Sequence, residues 1–256
     1  MRLSRDARNY LLFGTMLFVV LEALLAVAII WWPSFSENTG ALKRLAAPLP
    51  MLADQLNLID MIGVPAYVVA QHFFKGCNTL GAAAAVLLAM NAVAGEAQRG
   101  TLELWLSRPV TRRRLFTERY LGGMAAVCVP VLLTTLTIPA LLTLVDETMG
   151  YWDLTLCALH QCLFLGALYS VTLWLSALGS QPLKIGFVML FACIGEFALY
   201  MVKTLTHYSV FRLVDIEAFA EVLSTSALDP VQAGSLLAIN VVAYLGGLLA
   251  LERRVP

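Results

Sequence analysis

Two carboxylates stand where carboxylates are costly. Glu22 and Glu196 each interrupt an apolar run, Tyr10–Trp32 and Ile185–Val202. Counted along those runs, both lie roughly 17 Å from the starting end at the helical rise of about 1.5 Å per residue. An acid near the middle of a membrane costs about 2.5–3.5 kcal/mol, so such groups face a bundle interior or a wet cavity. Two chemistries are open to the pair. Ionised, they would line a pathway for a polar or cationic group; protonated, they would hydrogen-bond to neighbouring helices.

The remaining reactive side chains point away from catalysis. His160 and Gln161 sit early in an apolar run, as expected for an interhelical hydrogen bond. His72 and His207 are expected outside the membrane core, and scattered histidines make no zinc or haem site. The five cysteines form no CxxC pair and fall mostly in apolar runs, where thiols act as small core hydrophobes. The nine methionines are expected as core filler. No GxSG is present, and Ser180 has no histidine at a useful spacing, so no catalytic residue and no metal are assigned. A P-loop, GxxxxGK[ST], is also missing. The one lysine followed by Ser or Thr, Lys203, comes after Val202 at the end of an apolar run. The chain itself is expected to hold no cofactor.

The most informative stretch is AGEAQRGTLELWLSRPVTRRRLFTERYLGG, from Ala94 to Gly123, which carries six of the 17 basic residues. Gly100 breaks a helix; Thr101 can cap the next one, and Glu103 suits its positive N-terminal end. Leu102, Leu104, Trp105 and Leu106 supply apolar bulk. Pro109 ends this helix, because Ser107 and Arg108 before it are pushed out of the helical region. Thr111 can cap the helix that follows. The spacing therefore predicts a short amphipathic helix lying along one membrane surface, suited either to a groove on another protein or to lipid.

The elements that position these residues follow from composition. Of 256 residues, 60% are hydrophobic and 13% charged, and mean hydropathy is +0.79. A soluble domain averages about 25% charged, so the membrane class remains. With 17 bases against 17 acids there is no general basic field to hold nucleic acid. A spanning helix needs about 20 apolar residues. Six stretches qualify: Tyr10–Trp32, Gly76–Ala94, Arg114–Val145, Leu154–Leu178, Ile185–Val202 and Val231–Leu251. On the second, Gly81, Ala85 and Ala89 form a small-residue stripe that permits close helix approach. Met51–Ile62 is expected as an amphipathic interfacial helix, and Val210–Leu223 as a short helix dipping into the same outer interface. With both termini in the cytoplasm, 12 of the 17 bases fall on the inner side, and Asp146–Asp153 carries three acids and no base. This satisfies the positive-inside rule.

The run Glu96, Arg99-Gly100-Thr101-Leu102-Glu103-Leu104, Leu106-Ser107-Arg108-Pro109-Val110-Thr111-Arg112 resembles the permeases of ABC type-2 exporters. In these a glutamate and a GTLELLLS.PVSR segment follow the second of six spans. Trp105 stands here for a Leu and Thr111 for a Ser. The ending Leu251-Glu252-Arg253-Arg254 also resembles the family's apolar residue and paired arginines. Ser4–Arg8 departs from the family's Lys-Glu-containing elbow helix. The resemblance implies an all-α membrane protein: a single permease domain over 1–256, like the type V ABC exporters, with coupling segment 95–113. It further implies a dimer of this chain as the pathway and two copies of a separate ATP-binding cassette ATPase that carry ATP and Mg. The setting would be a bacterial cytoplasmic membrane, with an outer accessory protein as a further partner. Glu96, Arg99, Gly100, Thr101, Leu102, Glu103, Trp105, Ser107, Arg108, Pro109 and Arg112 would then couple the chain to the ATPase. A non-transporting assembly or regulatory protein and an intramembrane enzyme are the alternatives.

Overall fold

The computed structural model describes residues 5–106 and 111–254. Among the described residues the regular structure is helical, without strands. Six stretches are long and apolar enough to cross a membrane: Ala7–Ile30, Val64–Ala92, Arg112–Val145, Tyr151–Leu178, Pro182–Met201 and Pro230–Arg253. The first is contained in helix α1 (Arg5–Ile30). Three short helices follow, α2 (Trp32–Glu37), α3 (Thr39–Ala46) and α4 (Pro50–Ile62). The second span is composite: α5 (Val64–Val68), a π-helix over Val69–Gly81, and α6 (Ala82–Ala92). Then come α7 (Ala94–Gln98), α8 (Leu102–Leu106), α9 (Arg112–Leu142), α10 (Tyr151–Leu178), α11 (Pro182–Met201), α12 (Ile216–Thr225) and α13 (Pro230–Arg253).

Local chemistry sets these boundaries. Thr111 caps α9 by accepting from the Arg114 amide, Asp215 caps α12 from Ala218, and Asp229 caps α13 from Val231, with Pro230 in the first turn. Each side-chain oxygen satisfies one of the amides that a helix start leaves without a partner. Gly63, at φ +82°, turns the chain between α4 and the second span.

Helix α10 is the axis of the bundle, packed against α13, α6 and α9, with α1 lying on α9. Close approach depends on small residues. A Cβ placed on Gly81 would come within 2.8 Å of Leu165, and one on Gly123 within 2.0 Å of the Tyr169 hydroxyl. Ala85 and Ala89 are fully buried, so the small-residue stripe is a packing face. All five cysteines are free thiols.

The second span departs from expectation. It begins at Val64 rather than Gly76. His72, expected outside the membrane core, is buried, with Nε2 3.3 Å from the Thr134 hydroxyl. His72 therefore lies inside the bundle, and Lys75 belongs to a span, not to the outer connection. That connection is correspondingly shorter and is built from α2–α4. The Val210–Leu223 segment also differs. It is a 3-10 turn over Val210–Val214, broken at Asp215, followed by α12. Its apolar face packs on the bundle and not into the interface: Phe219 stacks on Phe73 at 5.1 Å, and Phe211 meets Phe164 at 5.5 Å. Phe211, Val214, Phe219 and Val222 are all buried in this way.

Candidate functional site

The bundle has two ends. One carries α7, α8 and the close of α13, and the arginine-rich start of α9; the other carries α2–α4 and α12. The first is called the basic end below.

At the basic end the chain turns twice. The first turn, between α6 and α7, leaves the Val93 and Ala94 amides without helical partners. The Ser176 hydroxyl of α10 accepts from both, at 3.2 and 2.9 Å, and donates to the Met90 carbonyl at 2.9 Å. The second turn is Gly100, at φ +68°, a left-handed value that a side chain would strain. Glu96 holds this corner. Its carboxylate accepts from Arg99 at 2.7 Å and from the Thr101 hydroxyl, and lies 3.8 Å from the Arg119 guanidinium on α9. Burial alone would raise this acid. The Thr101 hydroxyl and the Arg119 and Arg99 charges outweigh burial and hold it below the ordinary carboxylate range. The carboxylate is thus ionised at neutral pH, a fixed anion between two helices.

The same end fastens the spans to one another. Arg112 donates to the Leu251, Glu252 and Arg254 carbonyls at 3.0, 2.9 and 2.6 Å, closing the C-terminus of α13. Arg113 pairs with Glu252 at 2.7 Å. Arg254 donates to the Ala177 and Gly179 carbonyls at 3.1 and 2.9 Å, closing α10. A helix C-terminus presents unpaired carbonyls and partial negative charge, so guanidinium is matched to it twice over. Tyr169 of α10 donates to the Arg119 carbonyl at 2.9 Å. Ser176 and Tyr169 were not singled out in the sequence, because hydroxyls carry no spacing signal; Arg254 was, as one of the paired arginines of the ending, but without its carbonyl partners.

On this frame sits α8. Leu102 is buried, while Glu103 and Leu104 point outward, Leu104 with 66% exposure. Trp105 is on the same helix; Ser107, Arg108 and Pro109 lie outside the described residues. Of the expected coupling residues, the structure brings Glu96, Arg99 and Thr101 together. Gly100 turns the chain, and the half-buried Arg112 fastens α13.

At the opposite end, the segment between α11 and α13 is pinned from three sides. The Glu196 carboxylate accepts from the Val210 amide at 3.1 Å. Asn78 of the π-helix donates to the Val214 carbonyl at 3.1 Å, and Gln161 donates to Asn78 at 2.7 Å. His160 Nε2 lies 2.6 Å from the Leu213 carbonyl, fulfilling the interhelical bond expected of it. Glu22 accepts from the Thr137 hydroxyl of α9 at 3.0 Å. The two glutamates therefore have separate partners: Glu22 bonds across to the third span and Glu196 caps a 3-10 turn.

Asp215, 3% exposed, is pushed up by burial to about 6, against a usual value near 4. With the folded value above the unfolded one, the folded protein keeps an extra proton between about pH 4 and 6. This acid's contribution to stability is therefore fully present below about pH 4 and is lost as pH rises through 6. Asp215→Asn keeps an oxygen for the Ala218 amide and removes the titration. Melting of detergent-solubilised protein is expected to gain more from Asp215→Asn at about pH 7.5 than at about pH 4. An equal effect at both values would show that the carboxyl titrates normally.

Lys75 falls just before the expected start of the second span at Gly76, yet inside the observed one. The stretch Val64–Ala92 carries this one formal charge, which was the signal that a single long span was possible. Lys75 is exposed on the span's surface, and its ammonium donates to Gln71 at 3.3 Å, one turn away. A lysine facing hydrocarbon near the bilayer centre costs about 2.5–3.5 kcal/mol.

Six apolar spans, a glycine-broken elbow after the second and a capped α9 agree with one family. The profile described as ABC-2 family transporter protein matches residues 6–254. The chain belongs to that family: it is a multi-pass membrane protein, the permease subunit of an ATP-binding cassette transporter, whose ATPase is a separate partner. A comparison with curated proteins returns no match.

Proposed function

We propose that two copies of this chain form the membrane pathway of an exporter and that two ATP-binding cassette subunits drive it through α8. ATP and Mg bind to those subunits. The basic end faces the cytoplasm, as the positive-inside rule requires. Both termini are then cytoplasmic, in a bacterial inner membrane, and the α2–α4 and α12 segments lie outside, available to an accessory protein. Lipid covers the remaining apolar faces of α1, α11 and α13.

The observation that carries this reading is the fastening of the α7–α8 corner. A push on α8 reaches α9 through Glu96 and Arg119. It also reaches α10 through Ser176, at the α6–α7 turn. The bonds of Arg112 and Arg254 then oblige α13 and α10 to follow α9. A helix touching lipid alone would need none of these ties. Glu103→Ala combined with Trp105→Ala changes α8, where Glu103 is exposed, and leaves every residue of the corner in place. The expected result is normal membrane insertion with loss of the copurifying ATPase. Full recovery of the ATPase, with undiminished turnover, would return α8 to a lipid-facing role.

A further inference from the structure

We infer that Lys75 is an anion-binding residue of the transport pathway, so that the cargo carries a phosphate, sulfate or carboxylate group. This rests on the permease reading and adds a substrate class to it.

The depth of Lys75 follows from contacts. Tyr67 donates to the Ala28 carbonyl at 2.9 Å, placing it near the far end of α1. A Cβ on Gly76 would sit 3.7 Å from the Leu21 side chain. Lys75 is therefore level with Leu21, nine residues from Ile30, or about 13 Å below that end. In a hydrocarbon core of about 30 Å this is near the middle. The side chain climbs one turn to Gln71, about half of that depth.

Its direction follows from its neighbours. Phe74 packs on Phe197 and Tyr200 of α11, at 6.3 and 5.4 Å. Gly76 faces α1. Lys75 lies between them on the exposed side, with α1 on one side and α11 on the other. Gln71 and Thr79 flank it at neighbouring turns, Thr79 exposed and Gln71 half-buried. The exposed residues of α1 and α11 are instead largely apolar: Val19, Val20, Val27, Phe187, Phe191 and Ile194. A polar strip with an ammonium at mid-membrane depth between two apolar helices suits a wet track better than lipid. Closed by a second copy, it would bring in a second Lys75, and two ammonium groups in one enclosed pathway favour an anion between them. Among the described residues, no carboxylate lies within ion-pair distance of Lys75 in its own chain.

The test uses the full-length chain in phosphatidylcholine nanodiscs, with Thr79→Cys as the reporter and the wild type, whose thiols are buried or half-buried, as background. A negatively charged methanethiosulfonate should label position 79 about 10-fold faster than a positively charged one. Lys75→Gln should abolish the preference and Lys75→Arg keep it. Dodecyl phosphate should slow labelling where dodecyltrimethylammonium does not. Protection by inorganic phosphate as well would identify a soluble anion, and protection by dodecyl phosphate alone an amphiphile. Gln71→Cys repeats the measurement should Thr79→Cys fail to insert. Resistance of both cysteines to aqueous reagents would mean a lipid-facing lysine. Labelling with no charge preference, or one unchanged by Lys75→Gln, would equally overturn the inference. Because no ATPase is present, these results are independent of whether α8 couples to one.

Discussion

Replacing Glu96 with alanine should leave the protein in the membrane and disconnect it from ATP hydrolysis. This carboxylate is shared by Arg99, Thr101 and Arg119, and Arg119 is 8% exposed. Hydrogen bonds to charged groups contribute about 1.5–3 kcal/mol, and a buried guanidinium that loses its carboxylate is destabilised further. The local loss equals at least a tenfold shift in the population of the ordered corner, at about 1.4 kcal/mol per decade. Glu96→Ala should therefore cut transport-coupled ATP hydrolysis by about tenfold or more. Glu96→Gln keeps an acceptor for Thr101 but no charge for the arginines, and should fall between. The measurement is ATPase stimulation in reconstituted complexes at equal permease content. Wild-type stimulation in Glu96→Ala would remove the corner from the coupling route.

Gly123→Ala should produce the largest stability loss available from a single methyl group. The new Cβ would stand 2.0 Å from the Tyr169 hydroxyl and 2.3 Å from its Cζ. Tyr169 is fully buried and tied to the Arg119 carbonyl at 2.9 Å. It cannot swing away without giving up that bond, so α9 and α10 must separate. Overpacking costs about 1–3 kcal/mol, which for a chain of this size lowers Tm by roughly 2–4 °C per kcal/mol. Tyr169→Leu in the same chain removes the colliding ring and should recover part of the loss. A melting temperature unchanged by Gly123→Ala would mean that the two helices have slack the geometry does not show.

How much of this was legible in the sequence depended on the kind of signal. Helix breaks written in backbone chemistry were readable: Gly100 has the positive φ that its position implies, and Thr111 caps α9. His160 was readable as a helix-to-helix bond because a lone polar group in an apolar run must find a partner. The start of the second span was not. Hydropathy counts Lys75 and His72 as water-seeking, whereas the fold buries His72 among Thr134, Thr135 and Phe73 and holds Lys75 exposed on the span beside Gln71. Nor could spacing give Glu196 its partner, since the Val210 amide arrives from a segment whose 3-10 geometry depends on packing against α10 and the π-helix. The fastening of α10 and α13 by Arg254 and Arg112 was hidden for the same reason. Arginines near a chain end read as topology signals, and their carbonyl partners exist only once the helices are assembled.

The central claim is that α8 is the surface through which ATP hydrolysis reaches the spans, and one cross-linking measurement addresses it most directly. Glu103, exposed on α8, is replaced by a photoreactive residue in the full-length chain, expressed together with its ATPase. Illumination should yield a single adduct of permease and ATPase, with a yield that changes when ATP is trapped on the ATPase. A control probe at Leu245 on α13, exposed on the apolar surface, should give lipid adducts alone. Lipid adducts at both positions, with no ATPase captured at position 103 in any nucleotide state, would contradict the account.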